Sequence, residues 1–428
     1  MKRIIYSLLI LISLSDVLYS QSINFRVSSY FYSWERADSI YTSSKTSHLK
    51  GYQNLLLEAT HNKWSLHSLL QTEEDIVNKS GDGFNFRIYN LYLKGSNLLN
   101  LFDLKLGRQY VFAGTGNSAI DGIHIKLKAG KSKQYQFTGY AGALTALDYE
   151  VKKYPELNKN FAFGALFSYY GIRGMNAALS YFKRNKQMES YSALRLDSLF
   201  VTQTVEVDRD FRQDQLAGLE VNYTLQNHLN AYLKTYYDLN SGNLYRCELN
   251  GRYKIDNMDF SLSYTYRQPY IRYNSIFWVF PYEENHELEA GFDYIFKSGL
   301  NLFCKITDNI FTEDNSLRLQ LGVSHMNYGI SYTNQSGYGG SANGINAYYY
   351  KEIIRTLLSG NVSVNYYNYG MGKYYKERFD AFSGMLGVTL RPFPNLSFDA
   401  QGQIVTNKIS KYDMRMLFGI NYWLFEKF

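Results

Sequence analysis

Seven histidines, two cysteines and a dispersed set of arginines and carboxylates are the side chains of this 428-residue sequence from which chemistry would have to be built. A hydrolase needs His, Ser and carboxylate groups converging from short loops. Here His48, His61, His67, His124, His228, His286 and His325 are scattered through the chain, and neither HExxH nor CxxC spacing occurs. No catalytic residue, metal ligand or cofactor is therefore expected. Gly337-Tyr338-Gly339-Gly340 has the glycine density of a phosphate loop, but no Lys-Ser/Thr follows it and no strand gives way to a helix, so it reads as a flexible loop. The formal charge of +7 does not point to nucleic acid, because the bases are spread through strand-like segments with acids beside them.

What the charged residues do have is alternation. Over residues 244–254, Arg246, Glu248, Asn250 and Arg252 share one face and Tyr245, Cys247, Leu249 and Tyr253 the other. Over 316–324, Arg318, Gln320 and Ser324 oppose Leu317, Leu319, Leu321 and Val323. Such faces suit a strand with water on one side and lipid on the other, since a charge facing lipid at the bilayer midplane costs about 2–4 kcal/mol. Cys247 and Cys304 fall on apolar faces of strands separated by two others, so no disulfide is expected. By the same alternation Arg26, Lys126, Lys128, Lys234, Arg246, Arg252, Lys305 and Arg318 face the interior, with Glu220, Glu248, Asp259, Glu289, Asp293 and Asp399.

The elements that carry these faces follow from composition and turns. Tyr 42 and Phe 27 with Pro only 5 describe a chain rich in aromatics and poor in breakers. No apolar run after the N-terminus approaches the ~20 residues of a membrane helix. Residues 1–20 carry Lys2 and Arg3 ahead of an apolar run and read as a secretory signal peptide, leaving 21–428 as one domain. Its removal takes away Lys2, Arg3 and Asp16 and lowers the formal charge to about +6. Short turns near 62, 95–100, 130–133, 171–174, 225–228, 256–258, 297–299, 325–327, 359–361 and 392–395 alternate with longer polar links at 35–50, 72–83, 144–159, 183–212 and 268–285. That rhythm predicts an all-β, antiparallel up-and-down transmembrane barrel with short periplasmic turns and longer extracellular loops. About 22 strands are expected, an even number between 16 and 22, with 346–369 the stretch that decides.

Two stretches resemble known families. In residues 411–428, Met414, Met416, Phe418, Ile420, Tyr422 and Leu424 form one apolar face and the chain stops on Phe428. This resembles the C-terminal assembly signal of bacterial outer-membrane β-barrels, with Glu426 where those proteins usually carry an apolar residue. The resemblance implies a cell outer-membrane location and recognition of Leu424 and Phe428 by the barrel-assembly machinery. In residues 84–122, RIYNLYLKG, LKLGRQYVFAG and AIDGIHIKL are similar to a pattern of alginate-export and related substrate-selective porins, with Arg87, Arg108, Gln109 and Asp121 at the matching positions. The resemblance implies a pore with basic residues at a constriction.

One position departs from that pattern. Arg108 has the parity of Leu104 and Leu106, so it reaches the lumen only at a strand end or past a bulge near Gly107. The alternative is an Arg108–Asp121 ion pair that pins a loop.

The expected function is passive diffusion of small polar or anionic solutes, such as carbohydrates or organic acids, through a porin with no enzymatic activity. Arg87, Arg108, Gln109, Asp121, Arg246, Arg252 and Arg318 would line its pore, and the chain would be a monomer or homotrimer in outer-membrane lipid. The second reading is a structural or secretion-associated barrel whose lumen is plugged and whose extracellular loops bind a partner. The aromatic stretch 270–282, with Phe277, Trp278 and Phe280, suits either.

Overall fold

The computed structural model describes residues 21–37, 45–77, 85–145, 156–187, 190–196, 200–207, 212–226, 228–269, 284–372, 377–408 and 412–428. Residues 1–20, expected to be a signal peptide, and the aromatic stretch 270–282 lie outside them. The first nine strands are β1 (Ser22–Ala37), β2 (Lys45–His61), β3 (Trp64–Asp75), β4 (Asn85–Leu98), β5 (Phe102–Ala113), β6 (Gly116–Ala129), β7 (Tyr135–Leu144), β8 (Phe161–Ile172) and β9 (Met175–Lys186). A small hairpin follows, β10 (Tyr191–Leu196) and β11 (Thr202–Val207). The chain continues through β12 (Arg212–Leu225), β13 (Leu229–Asp238), β14 (Asn243–Ile255), β15 (Met258–Arg267), β16 (Asn285–Ile295), β17 (Asn301–Ile310), β18 (Asn315–Ser324) and β19 (Tyr328–Gly337). It ends with β20 (Gly340–Ile354), β21 (Leu358–Met371), β22 (Arg378–Phe393), β23 (Leu396–Thr406) and β24 (Asp413–Lys427).

All but β10 and β11 join one 22-stranded sheet in which each strand pairs antiparallel with its neighbour in sequence, β9 passing directly to β12. The sheet closes on itself because β1 also pairs with β24, with Phe25 opposite Leu424 and Val27 opposite Tyr422. Closure removes the free edge that hydrocarbon would not tolerate. On the lumen side of this seam the buried Asn421 ties three strands together. Its side-chain oxygen accepts from Ser28 (2.7 Å), Tyr30 (2.8 Å) and Arg26 (3.3 Å), and its nitrogen donates to Asp399 (2.8 Å).

Alternation decides what faces lipid. Leu93, Leu106, Ile123, Phe137, Phe167, Leu179, Leu249, Leu262, Leu321, Leu386 and Phe418 are all exposed on the outer surface, an apolar girdle that would be intolerable in water. Cys247 and Cys304 sit in that surface as free thiols, with β15 and β16 between their strands.

Several boundaries differ from those expected of the sequence. Ser359, Gly360 and Asn361 look like turn residues, yet they lie in β21, held by pairing on both sides, and the turn is at 355–357. The link expected over 35–50 shrinks to 38–44, because Trp34 stacks on His48 across β1 and β2 (ring centroids 4.8 Å apart) and carries the ladder upward. The link 183–212 contains the β10–β11 hairpin, and Tyr338-Gly339 is a two-residue turn rather than a loose loop. Residues 346–369 form parts of two strands, which is why the barrel has 22.

Candidate functional site

Strands β5 and β6 leave the wall partway up. β5 pairs with β4 only as far as Arg108 opposite Leu91, while β4 runs on to Asn85 beside β3. β6 pairs with β7 no higher than Ile120 opposite Leu144. The bend falls where Gly107, Gly122 and Gly142 stand side by side on three strands. Gly107 has φ +122°, a conformation that disfavours any side chain, and a Cβ there would strike the Leu91 carbonyl of β4. Only glycine lets the backbones approach this closely while the hairpin folds inward.

Beyond the bend the hairpin crosses the inner face of β7, β8, β9 and β12 and ends at β13. The Thr115 amide donates to Ser180 Oγ on β9 (3.1 Å), and Arg184 Nη1 donates to the Asn117 carbonyl (3.4 Å). The Tyr236 hydroxyl on β13 lies 3.1 Å from the Gly114 carbonyl and 3.0 Å from the Glu220 carboxylate. Reach and span agree: seven residues of strand from Gly107 cover about 23 Å, and the five inter-strand steps from β6 to β13 amount to about 24 Å.

The face laid on the wall forms the main hydrophobic core. Val111, Ala113 and the fully buried Ile120 pack with Tyr140, Leu144, Ala162 and Phe182, flanked by Leu166 and Leu216. The opposite face carries Tyr110 and Phe112, the latter 73% exposed, toward the open lumen.

This geometry locates the residues singled out from sequence. Arg108 is 6% exposed and stands at the bend, where its Nε and Nη2 donate to the two Asp121 oxygens (both 2.8 Å) and its Nη1 to the Ile88 carbonyl (3.3 Å). The guanidinium fills the gap that opens where β5 leaves β4 and does not project into the lumen. Gln109, buried beside it, directs its amide nitrogen at the Gly122 carbonyl (3.3 Å). Arg87 is not part of this group; it pairs with Glu73 on β3 (2.8 Å). Arg246 pairs with Glu248, Arg252 with Asp259 (2.6 Å), and Arg318 lies 3.8 Å from Glu289 and donates to Thr307 (3.3 Å), all on the inner wall beyond the hairpin tip. Leu424 stands at the seam opposite Phe25, and the Phe428 amide donates to the Gln21 carbonyl (2.9 Å).

Directly beneath the bend is a row of which alternation had assigned only Lys126 to the interior. Lys94, Lys105 and His124 stand opposite one another on β4, β5 and β6, and Lys126 follows His124 on the same face. Among the described residues Lys94, Lys105 and Lys126 make no ion pair, whereas the neighbouring Lys128 is bound to Asp103 (2.6 Å). Lys105 lies over the Tyr92 ring, 5.2 Å from its centroid, and Tyr92 stacks on His67, which is 3.8 Å from Glu58. Four ammonium groups, those of Lys94, Lys105, Lys126 and Lys128, against the two acids Asp103 and Glu58 leave a locally positive strip. The signal that would have found it is register: Lys94, Lys105 and His124 share one row across β4, β5 and β6, just below Gly107 and Gly122.

A round barrel of 22 strands spans about 40 Å between backbones, and a packed layer removes about 10 Å of that. Among the described residues, the hairpin therefore narrows the lumen on one side.

The closed sheet, its apolar girdle and its polar interior settle where the protein resides. It is an outer-membrane β-barrel. No protein-family model matches the chain, and no curated protein matches it. Among solved structures it is similar to the P pilus usher (PapC) translocation pore, at 9% identity and TM-score 0.47 over 94% of this chain and 99% of that one. It is also similar to Pseudomonas aeruginosa OpdQ (11%, TM-score 0.43, 94% and 97%) and Acinetobacter baumannii OccAB4 (8%, TM-score 0.44, 96% and 100%). Likenesses this distant transfer no residue role and no solute.

Proposed function

We propose that the barrel is a non-enzymatic diffusion channel for small polar and anionic solutes, screened beside the Lys94–Lys105–Lys126 strip, just below the bend at which the β5–β6 hairpin turns inward. The observation that carries this is the unpaired state of those three lysines in a lumen whose other described bases are mostly matched with acids. A fixed positive strip raises the local concentration of carboxylates and phosphates and repels cations. The preference is weak, because water in so wide a lumen screens charge beyond about 8–10 Å at moderate salt.

Arg108 and Asp121 serve this channel by holding the hairpin in place. The last strand and Phe428 serve as the assembly signal read by the barrel-assembly machinery, and the barrel works as a monomer or homotrimer.

The test is the reversal potential across a KCl gradient in planar bilayers. The wild type is expected to be weakly anion-selective, and Lys94→Gln/Lys105→Gln/Lys126→Gln to be shifted toward cation selectivity. Cation selectivity in the wild type, or no shift in the triple variant, refutes the reading.

One observation favours the partner-binding alternative. β10 and β11 pair only with each other among the described strands, Leu194 and Leu196 on β10 and Phe200 and Val201 before β11 are exposed, and a two-stranded hairpin is marginally stable alone. A pull-down that loses its partner when 190–207 is removed, from a barrel that does not conduct, would establish it.

A further inference from the structure

Across the lumen from the lysine strip, twelve strands on from β5 counted around the barrel, the wall has a different composition. A groove of about 260 Å³ runs over β17–β21, and the side chains it shows to the lumen are Phe303, Ser324, Ser331, Asn346, Tyr348, Ser363 and Asn365. None is charged.

Glycines make room for its two rings. Gly322 stands opposite Phe303 and Gly329 opposite Tyr348. A Cβ on Gly322 would overlap the Phe303 ring, and one on Gly329 would come within 2.5–3.0 Å of the Tyr348 ring and hydroxyl. Each ring therefore reaches over the bare backbone of the glycine on the next strand, and Tyr348 remains 47% exposed. Gly344 and Tyr367 repeat the arrangement one strand pair further on. The Tyr367 hydroxyl donates to the Asn346 side-chain oxygen (3.0 Å), which fixes that amide and leaves its nitrogen as a donor. Ser331, Ser363 and Asn365 make no side-chain hydrogen bond among the described residues.

We propose that this groove is a subsite for a neutral sugar. Flat aromatic faces carry negative quadrupole charge that attracts the C–H face of a pyranose ring. Neutral amides and hydroxyls, each able to donate and accept, match sugar hydroxyls in a way that lysines or carboxylates do not. The volume equals that of roughly eight or nine waters, room for one hexose ring. A carboxylate or phosphate would find no counter-charge here, and an apolar solute would leave four or five polar groups unmatched. The inference goes beyond the channel reading and does not require it, because a plugged barrel would carry the same groove.

Saturation-transfer difference NMR with maltotriose, on the full barrel folded in detergent micelles, reads the contact without needing conduction. The wild type should transfer saturation to the sugar ring protons. Phe303→Ala/Tyr348→Ala should reduce the transfer at least fivefold, and Tyr348→Phe should keep it. Ser331→Leu, which fills the groove from its floor and leaves both rings in place, should abolish it even if the double variant does not fold. Heat-modifiable migration on gels identifies folded samples, and the reversal potential of the same variants should match the wild type. No transfer from the wild type, or transfer undiminished in folded Ser331→Leu, would overturn the proposal.

Discussion

The wall under the hairpin and the wall facing it are built from the same antiparallel ladder, and both use glycine to bring groups closer than side chains allow. On the hairpin side, Gly107 and Gly122 admit backbone to backbone; two strands turn inward, a small core forms, and an ion pair is buried. On the far side, Gly322 and Gly329 admit an aromatic ring to backbone, the wall stays one layer thick, and its polar groups remain wet. A glycine opposite a glycine bends the sheet, whereas a glycine opposite an aromatic paves it.

The comparison breaks first at Asp121. Removing its carboxylate takes the bidentate counter-charge from the nearly inaccessible Arg108 guanidinium, and Asp121→Ala is expected to cost about 3–5 kcal/mol. Guanidinium unfolding of the detergent-solubilised barrel measures it. Replacing both residues by leucine should recover much of the loss, since a buried pair gains little over a packed apolar one.

Gly116→Val comes next. A Cβ at this position would overlap the Tyr140 hydroxyl, so the added bulk should lift the hairpin from the wall at a cost of about 1–3 kcal/mol. The expected sign is a higher unitary conductance. On the facing wall Gly322→Ala should displace the Phe303 ring and leave conductance unchanged.

The smallest effect belongs to the partly exposed pairs. Arg318, at 3.8 Å from Glu289 and open to the lumen water, should lose under about 1 kcal/mol on substitution by alanine. A loss there as large as at Asp121 would show that the two walls do not differ in how their charges are held.

Much of the barrel was legible because alternation is local. The faces assigned over 244–254 and 316–324 are those found, and the pattern at Met414, Met416, Phe418 and Ile420 reappears as outward exposure in β24. The turn at 355–357 was not legible, because Ser359-Gly360-Asn361 has turn chemistry and only pairing to both neighbours overrides it. Arg108 shows the limit most clearly. Its apolar parity was correct and a kink at Gly107 was anticipated, but the bend turns that face toward the gap between β4 and β5. Whether Arg108 meets solute or Asp121 depends on how two strands leave the wall, which no single-strand period encodes. The lysine strip and the groove over β17–β21 are assembled from three and five consecutive strands, so the register between strands, which single-strand alternation does not give, decides which of their side chains meet.

Unitary conductance tests the central claim most directly: that one inward-folded hairpin narrows an otherwise open lumen. The wild type in planar bilayers should give steady open events, and removal of residues 112–117 should raise the conductance by less than about twofold while the barrel stays folded. A wild type that never opens, or a conductance unchanged when the hairpin tip is gone, would contradict it.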